Sequence, residues 1–272
     1  MRHALWMLML LSTVVSAQDV YYGIDESGVT YGQRFYCAGT LPCGFVDAGG
    51  SIYTLSNWNW YDVGLHDGNT SGEYVGRVRL TTGPSYGAVC TMNGCNGVTG
   101  TTSAEKITES GTVLFINGAS AFLRDRYGND TPLPKVEPST GYAVTQYFAL
   151  NNLGDTGGVY FSPDQLSSHG FIRKADGTVT FIDYPGAKIT TVRGVNDNGV
   201  AVGYACLWPT KEIQLASASC VTGYEVGFRY DPPGAPVCTG KRKRRTCTTP
   251  TGTFTNLSGQ PRDINNAGQV VQ

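Results

Sequence analysis

The chain has 272 residues, 36 glycines, 15% charged residues and a formal net charge of −1. That length admits one large domain or two small ones. Abundant glycine with scarce helical periodicity argues against a helical bundle and for an all-β protein of many short strands and tight turns. Sixteen tyrosines and ten phenylalanines, many at strand positions, can fill a core between packed sheets.

Residues 1–17 carry Arg2, an apolar run from Ala4 to Leu11 and the small-residue close Val15-Ser16-Ala17. This pattern predicts a signal peptide cut before Gln18, and with it a secreted, periplasmic or extracellular protein. The apolar run is shorter than the ~20 residues that span a bilayer, and no later stretch is apolar for long enough, so no membrane span is expected. No Pro/Ser linker or low-complexity tract interrupts residues 18–272, which are therefore read as one repeat domain.

The repeat opens at Gly23-Ile24-Asp25-Glu26-Ser27-Gly28-Val29-Thr30-Tyr31-Gly32 and returns position for position at Gly194-Val195-Asn196-Asp197-Asn198-Gly199-Val200-Ala201-Val202-Gly203. Asn and Asp side chains bond back to their own backbone, and the inner glycine supplies positive φ. A short buried strand follows and ends on a second glycine. Looser copies place the inner glycine at Gly72, Gly111, Gly154 and Gly268, so the successive intervals are 44, 39, 43, 45 and 69 residues.

A hairpin runs in phase with this unit. Gly170-Phe171-Ile172-Arg173 and Thr178-Val179-Thr180-Phe181-Ile182 flank an Asp176-Gly177 turn, a strong short-range hairpin signal. Its relatives are Gly44-Phe45-Val46 with Ser51-Ile52-Tyr53, Ala121-Phe122-Leu123 before Gly128-Asn129, and Gly227-Phe228-Arg229-Tyr230 rejoining at Gly252-Thr253-Phe254-Thr255. A period near 43 residues suits a four-stranded blade and is too long for one coil of a β-helix. The expected fold is a β-propeller with five full repeats and part of a sixth. Either the C-terminal strand completes the N-terminal blade, or the chain is a fragment of a longer propeller.

The Asn-rich turn, the Gly-x-x-x-Gly strand and the entries His169-Gly170-Phe171 and Ser120-Ala121-Phe122 resemble the bacterial extracellular repeats of the HAF family, named for a His-Ala-Phe triplet. The resemblance is clearest from Ala149 to Ala205, returns from Gly252 to Gln272, and departs from the pattern in lacking any full triplet and in a distorted copy at Gly72. It implies an exported protein with a propeller-like fold and carries no catalytic residues to transfer.

Eight cysteines fall into close neighbours, Cys37 with Cys43, Cys90 with Cys95, Cys206 with Cys220 and Cys238 with Cys247. They agree with an oxidising compartment, and four local disulfides are the simplest of the 105 pairings. No pair has CxxC spacing and no histidine lies near one, so no metal is assigned. The long interval marks insertions at about 206–220 and 232–250. The second carries Lys241-Arg242-Lys243-Arg244-Arg245. Without the leader 19 basic residues oppose 21 acidic ones, and without this run only 14 do, so an acidic body displays one basic loop. Such a run is either simply solvated or a contact for a polyanion. Its lack of aromatics argues against nucleic acid.

Catalytic signals are poor. No G-x-S-x-G, H-E-x-x-H or P-loop motif is present. The mature chain has two histidines, His66 and His169, the latter read as a packed or capping residue at a strand start. Asp25, Asp67, Asp155 and Asp197 could converge near the axis as a carboxylate pair, but as equivalent turn positions they read first as turn formers. Asn69, Asn129 and Asn256 stand in N-x-[ST] sequons. No catalytic residue and no cofactor is assigned. The expectation is a binding or scaffold module for envelope or extracellular carbohydrate or protein, the basic loop adding an anion contact. The alternative is a glycan-active hydrolase or lyase with paired carboxylates.

Overall fold

A computed structural model describes residues 19–35, 37, 42–55, 62–81, 83–136, 144–162, 167–207, 220, 224–234, 237–239, 246–248 and 251–272. The leader and the basic run Lys241 to Arg245 lie outside these. Among the described residues no helix is long and apolar enough to cross a membrane.

Each inner glycine of the repeat ends a tight turn. Gly28, Gly72, Gly111, Gly154, Gly199 and Gly268 have φ between 74 and 87°, a region L side chains rarely adopt. The residue three positions before each glycine organises the turn. Asn196 Oδ1 accepts the N–H groups of Asn198 (3.1 Å) and Val200 (3.0 Å), as Asp25 Oδ1 accepts those of Ser27 and Val29. Asn69 and Asn151 do the same, and Thr108 and Asn265 each accept one such N–H. Asn69 is buried in this role at 2% exposure and lies out of reach of a glycan, so its sequon is structural.

Every turn joins an innermost strand to a second strand, and in the first five repeats the chain continues outward through third and fourth antiparallel strands. The innermost strands are Asp19–Ile24, Asp62–Gly68, Ser103–Ile107, Val144–Leu150, Ile189–Val195 and Asp263–Ile264. Each packs against the next, and the sixth packs against the first, closing a ring about one axis. Among the described residues the fold is an all-β propeller of five four-stranded blades, the fourth and fifth joined by a single parallel bridge at Ser168 and Ile189, and a sixth, two-stranded element. The hairpins read from sequence are the third and fourth strands of blades 1, 3, 4 and 5. One expectation is corrected. Blade 1 draws all four strands from its own sequence, and Asp263–Ile264 pairs with Val270–Val271 in a separate sheet, so the C-terminal strand completes no N-terminal blade.

Apolar residues fill the gaps between blades in clusters of consecutive pairs, such as Val46 with Leu65 and Val78, and Ile172 with Val192 and Phe228. Phe45, Phe171 and Phe228 hold one repeat position on third strands and are fully buried. Burial of that kind stabilises by about 1.5–3 kcal/mol per side chain. Disulfides join Cys37 to Cys43, Cys90 to Cys95 and Cys206 to Cys220, in keeping with an oxidising environment. Cys238 and Cys247 are backbone partners across a small hairpin, Val237–Thr239 with Thr246–Thr248, inserted before the last strand of blade 5.

Candidate functional site

The turn ends of the six innermost strands bond to one another around the axis. Asn151, Asn196 and Asn265 each donate from Nδ2 to the turn carbonyl of the next repeat, the last reaching Asp25 O at 3.0 Å. One residue further on, the N–H groups of Thr70, Glu109, Asn152, Asp197 and Asn266 donate to the side chains of Glu109, Asn152, Asp197, Asn266 and Glu26 in turn. Glu26, Glu109 and Asp197 make this mouth acidic. Burial, with Asp197 and Glu109 nearby, raises the Glu26 carboxyl.

The four aspartates expected to be equivalent occupy four different positions. Asp25 forms its turn and also accepts the Tyr31 hydroxyl at 2.6 Å. Asp197 belongs to the acidic mouth. Asp155 leaves the axis to meet Lys174 at 2.8 Å. Asp67 sits one layer deeper, where the innermost strands contribute Gly23, Asp67, Lys106, Ala149, Gly194 and Asp263.

This layer closes the axis. Lys106 reaches Asp263 on the opposite side at 2.5 Å, and all three charged residues are at most 6% exposed. Asp67 accepts the Ile107 N–H, and Asp263 accepts the Ile24 N–H, both at 3.0 Å. Gly23 and Gly194 leave room, since a Cβ at Gly23 would stand 2.2 Å from the His66 carbonyl oxygen and one at Gly194 2.8 Å from Asp263 Cα. Burial raises the Asp67 carboxyl above its ordinary range, partly opposed by Lys106 and reinforced by Asp263. The cavity on the turn side holds about 30 Å³, space for a water or two.

Beyond that floor lies a chamber built by a repeated irregularity. In each of the first five innermost strands one residue has no partner in the register, which skips Tyr22, His66, Glu105, Phe148 and Arg193. Such bulges re-aim side chains. The second glycine of the repeat makes them fit. A Cβ on Gly32, Gly76, Gly158 or Gly203 would fall 1.9–2.1 Å from the carbonyl oxygen of Val20, Gly64, Gln146 or Thr191. Blade 3 keeps the bulge with Phe115 in the glycine's place, opposite the small Ala104. Arg262 is the sixth member, just ahead of Asp263–Ile264.

The six side chains are half-buried, and four of the neighbouring pairs around the ring are in contact. Tyr22 and His66 have ring centroids 5.3 Å apart, and His66 Nδ1 lies 3.4 Å from Glu105 Oε2. The Arg193 guanidinium carbon lies over the Phe148 ring, 4.1 Å from its centroid, and that of Arg262 lies over the Tyr22 ring at 5.1 Å. Across the axis His66 stands opposite Arg193, and Glu105 opposite Arg262. Ser103 Oγ donates to Glu105 Oε1 at 2.5 Å. Burial opposes the Glu105 charge, but His66, Ser103 and Arg193 outweigh it and pull the carboxyl down to about 2. Burial and the Arg193 charge lower the Arg262 guanidinium. A side cavity of about 160 Å³ between blades 3 and 4 reaches the chamber at Glu105 and Phe148.

Sequence reading missed this constellation. Aligned on the turn residue, the column three places before it reads Tyr22, His66, Glu105, Phe148, Arg193 and Arg262. Its chemistry differs in nearly every copy while its flanks repeat, and that contrast was the available signal. His169, by contrast, lies on the third strand of blade 4, stacked on Tyr160 and 2.9 Å from Asp183 Oδ1.

No family model matches the chain, and no curated protein matches it. Among solved structures it is similar to a streptogramin B lyase, covering 92% of this chain and 89% of that one at 12% identity with a TM-score of 0.40. It is also similar to selenomethionine-substituted virginiamycin B lyase from Staphylococcus aureus, covering 91% and 92% at 11% identity with a TM-score of 0.39. The propeller assignment rests on the closed ring of innermost strands rather than on this likeness.

Proposed function

We propose that the protein is an exported binding propeller whose axial chamber takes an anionic group, the carboxylate or sulfate of an extracellular acidic glycan. The pair Arg193 and Arg262 carries this reading. Each guanidinium carbon lies over an aromatic ring, and among the described residues no carboxylate or hydroxyl takes up its N–H donors. Among the described residues neither has a carboxylate at ion-pairing distance. Two half-buried cations side by side repel, so a shared anion is the partner that relieves both. The HAF-type extracellular role and the leader-directed export belong to the same proposal, as does the basic loop as an auxiliary contact. Paired carboxylates receive less support, because the chamber holds Glu105 alone among its six ring members.

Calorimetric titration of the secreted chain with glucuronate and with glucose tests the reading. Glucuronate binding is expected, with Arg193→Gln and Arg262→Gln each weakening it about tenfold, the loss of one charge-assisted hydrogen bond. Unchanged binding in both variants overturns it. Binding lost only when Lys241 to Arg245 are changed to Ser would place recognition on the basic loop.

A further inference from the structure

The half of the chamber facing the two arginines is built for proton transfer. His66 presents Nδ1 to Glu105 Oε2 and Ser103 Oγ, each at 3.4 Å, while Ser103 Oγ fixes the other carboxylate oxygen at 2.5 Å. Nε2 has no partner among the described residues. An imidazole held at one nitrogen by a carboxylate and free at the other is arranged as a general base, and separations of this size shorten when substrate fills a site. The ion-paired floor of Asp67, Lys106 and Asp263 lies in the next layer along the axis.

We infer that the chamber hydrolyses an ester carried by its anionic ligand, with His66 as the base. This rests on the anion-binding reading above and adds a reaction to it. Water between His66 and the ester carbonyl loses a proton to Nε2 as its oxygen bonds to the carbonyl carbon. The resulting oxyanion forms on the side of Arg193 and Arg262, whose donors stabilise it. On collapse the C–O ester bond breaks, and the leaving oxygen takes the proton back from Nε2. One water is consumed, an acid and an alcohol form, and no oxidant or further reactant is needed. Glu105 touches none of the reacting atoms and acts as a positioning residue, fixing the tautomer and stabilising the imidazolium between the two transfers.

The test uses 4-nitrophenyl succinate, which joins a carboxylate to an ester, beside neutral 4-nitrophenyl acetate, with succinate binding measured separately. The wild-type chain is expected to hydrolyse the succinate ester in clear preference to the acetate. His66→Gln should lose roughly a hundredfold or more in rate while binding succinate as before. Glu105→Gln should lower kcat while leaving KM and succinate binding little changed, and Glu105→Asp should restore part of the rate, a split that a merely structural residue would not produce. Succinate binding without hydrolysis, or hydrolysis undiminished in His66→Gln, overturns this inference and leaves the binding function standing. Failure to bind succinate overturns this inference, and failure to bind glucuronate as well overturns both.

Discussion

Lys106 and Asp263 belong to the third and sixth innermost strands, on opposite sides of the propeller axis, and meet at 2.5 Å. Their ion pair therefore ties halves of the ring that no hydrogen-bonded sheet connects. Asp67 completes the cluster from the second strand. A buried pair of this kind costs desolvation to form, and its removal from one side leaves an uncompensated charge.

Lys106→Met is accordingly expected to lower the unfolding free energy by about 3–5 kcal/mol. Combined with Asp263→Asn, which keeps an oxygen for the Ile24 N–H, it should recover part of the loss. Urea denaturation of the single and double variants measures both. Equal destabilisation in the two would show that the stranded charge is not the cause.

Asp67 gives the stability a pH dependence of definite sign. Its folded-state carboxyl titrates above the ordinary range, chiefly through burial. The folded protein thus holds this proton more firmly than the unfolded chain, and stability falls as pH rises from the ordinary carboxylate range toward the raised value. Asp67→Asn keeps an acceptor for Ile107 and should remove this component, so the wild-type minus variant difference in urea midpoint declines between acid and mildly alkaline pH. A difference that stays flat refutes the assignment.

Glu105 acts in the opposite sense. Its carboxyl is pulled down to about 2 because His66, Ser103 and Arg193 outweigh the burial penalty. The stability it confers is present above the ordinary carboxylate range and disappears as pH falls toward 2. Glu105→Gln should cost about 1–3 kcal/mol near neutrality and nothing at the acid end. Thermal unfolding at the two extremes distinguishes the cases.

Gly203 couples the repeat to the chamber. An alanine there would put Cβ 1.9 Å from the Thr191 carbonyl oxygen, on the strand that bulges at Arg193. Gly203→Ala is expected to destabilise by about 1–3 kcal/mol, as overpacking does, and to weaken anion binding by displacing Arg193. Calorimetry on the folded variant would expose the second effect. Intact affinity in a destabilised variant would separate the glycine from the site.

Asn196 and Asn198 stand two apart in one turn and should behave differently. Asn196 is buried, accepts two N–H groups and donates to Asn265 O at 3.1 Å, so Asn196→Ala should cost about 1–3 kcal/mol. Asn198 is exposed, and Asn198→Ala should change stability by less than about 0.5 kcal/mol.

The contrast between these asparagines shows what was legible in the sequence. The turn is a local device, so its Asx residue and inner glycine could be read from a ten-residue window and then counted along the chain. The second glycine was legible as a letter but not as a cause, because what excludes its Cβ is a carbonyl on the preceding strand. The chamber was hidden for another reason. Tyr22, His66, Glu105, Phe148, Arg193 and Arg262 span 240 residues, and only ring closure makes neighbours of them. Lys106 gave no local hint that its partner would be Asp263.

Glu26, Glu109 and Asp197 surround one opening of the axis, and Arg193 and Arg262 line the other, with the Lys106–Asp263 pair between. Charge is thereby separated along the propeller's length, and the molecule has a front and a back for any ion in solution. Anion capture by the proposed site is therefore expected from the arginine end, and its rate should fall as added salt screens the field. Cations should show the reverse preference, weakened by salt in the same way.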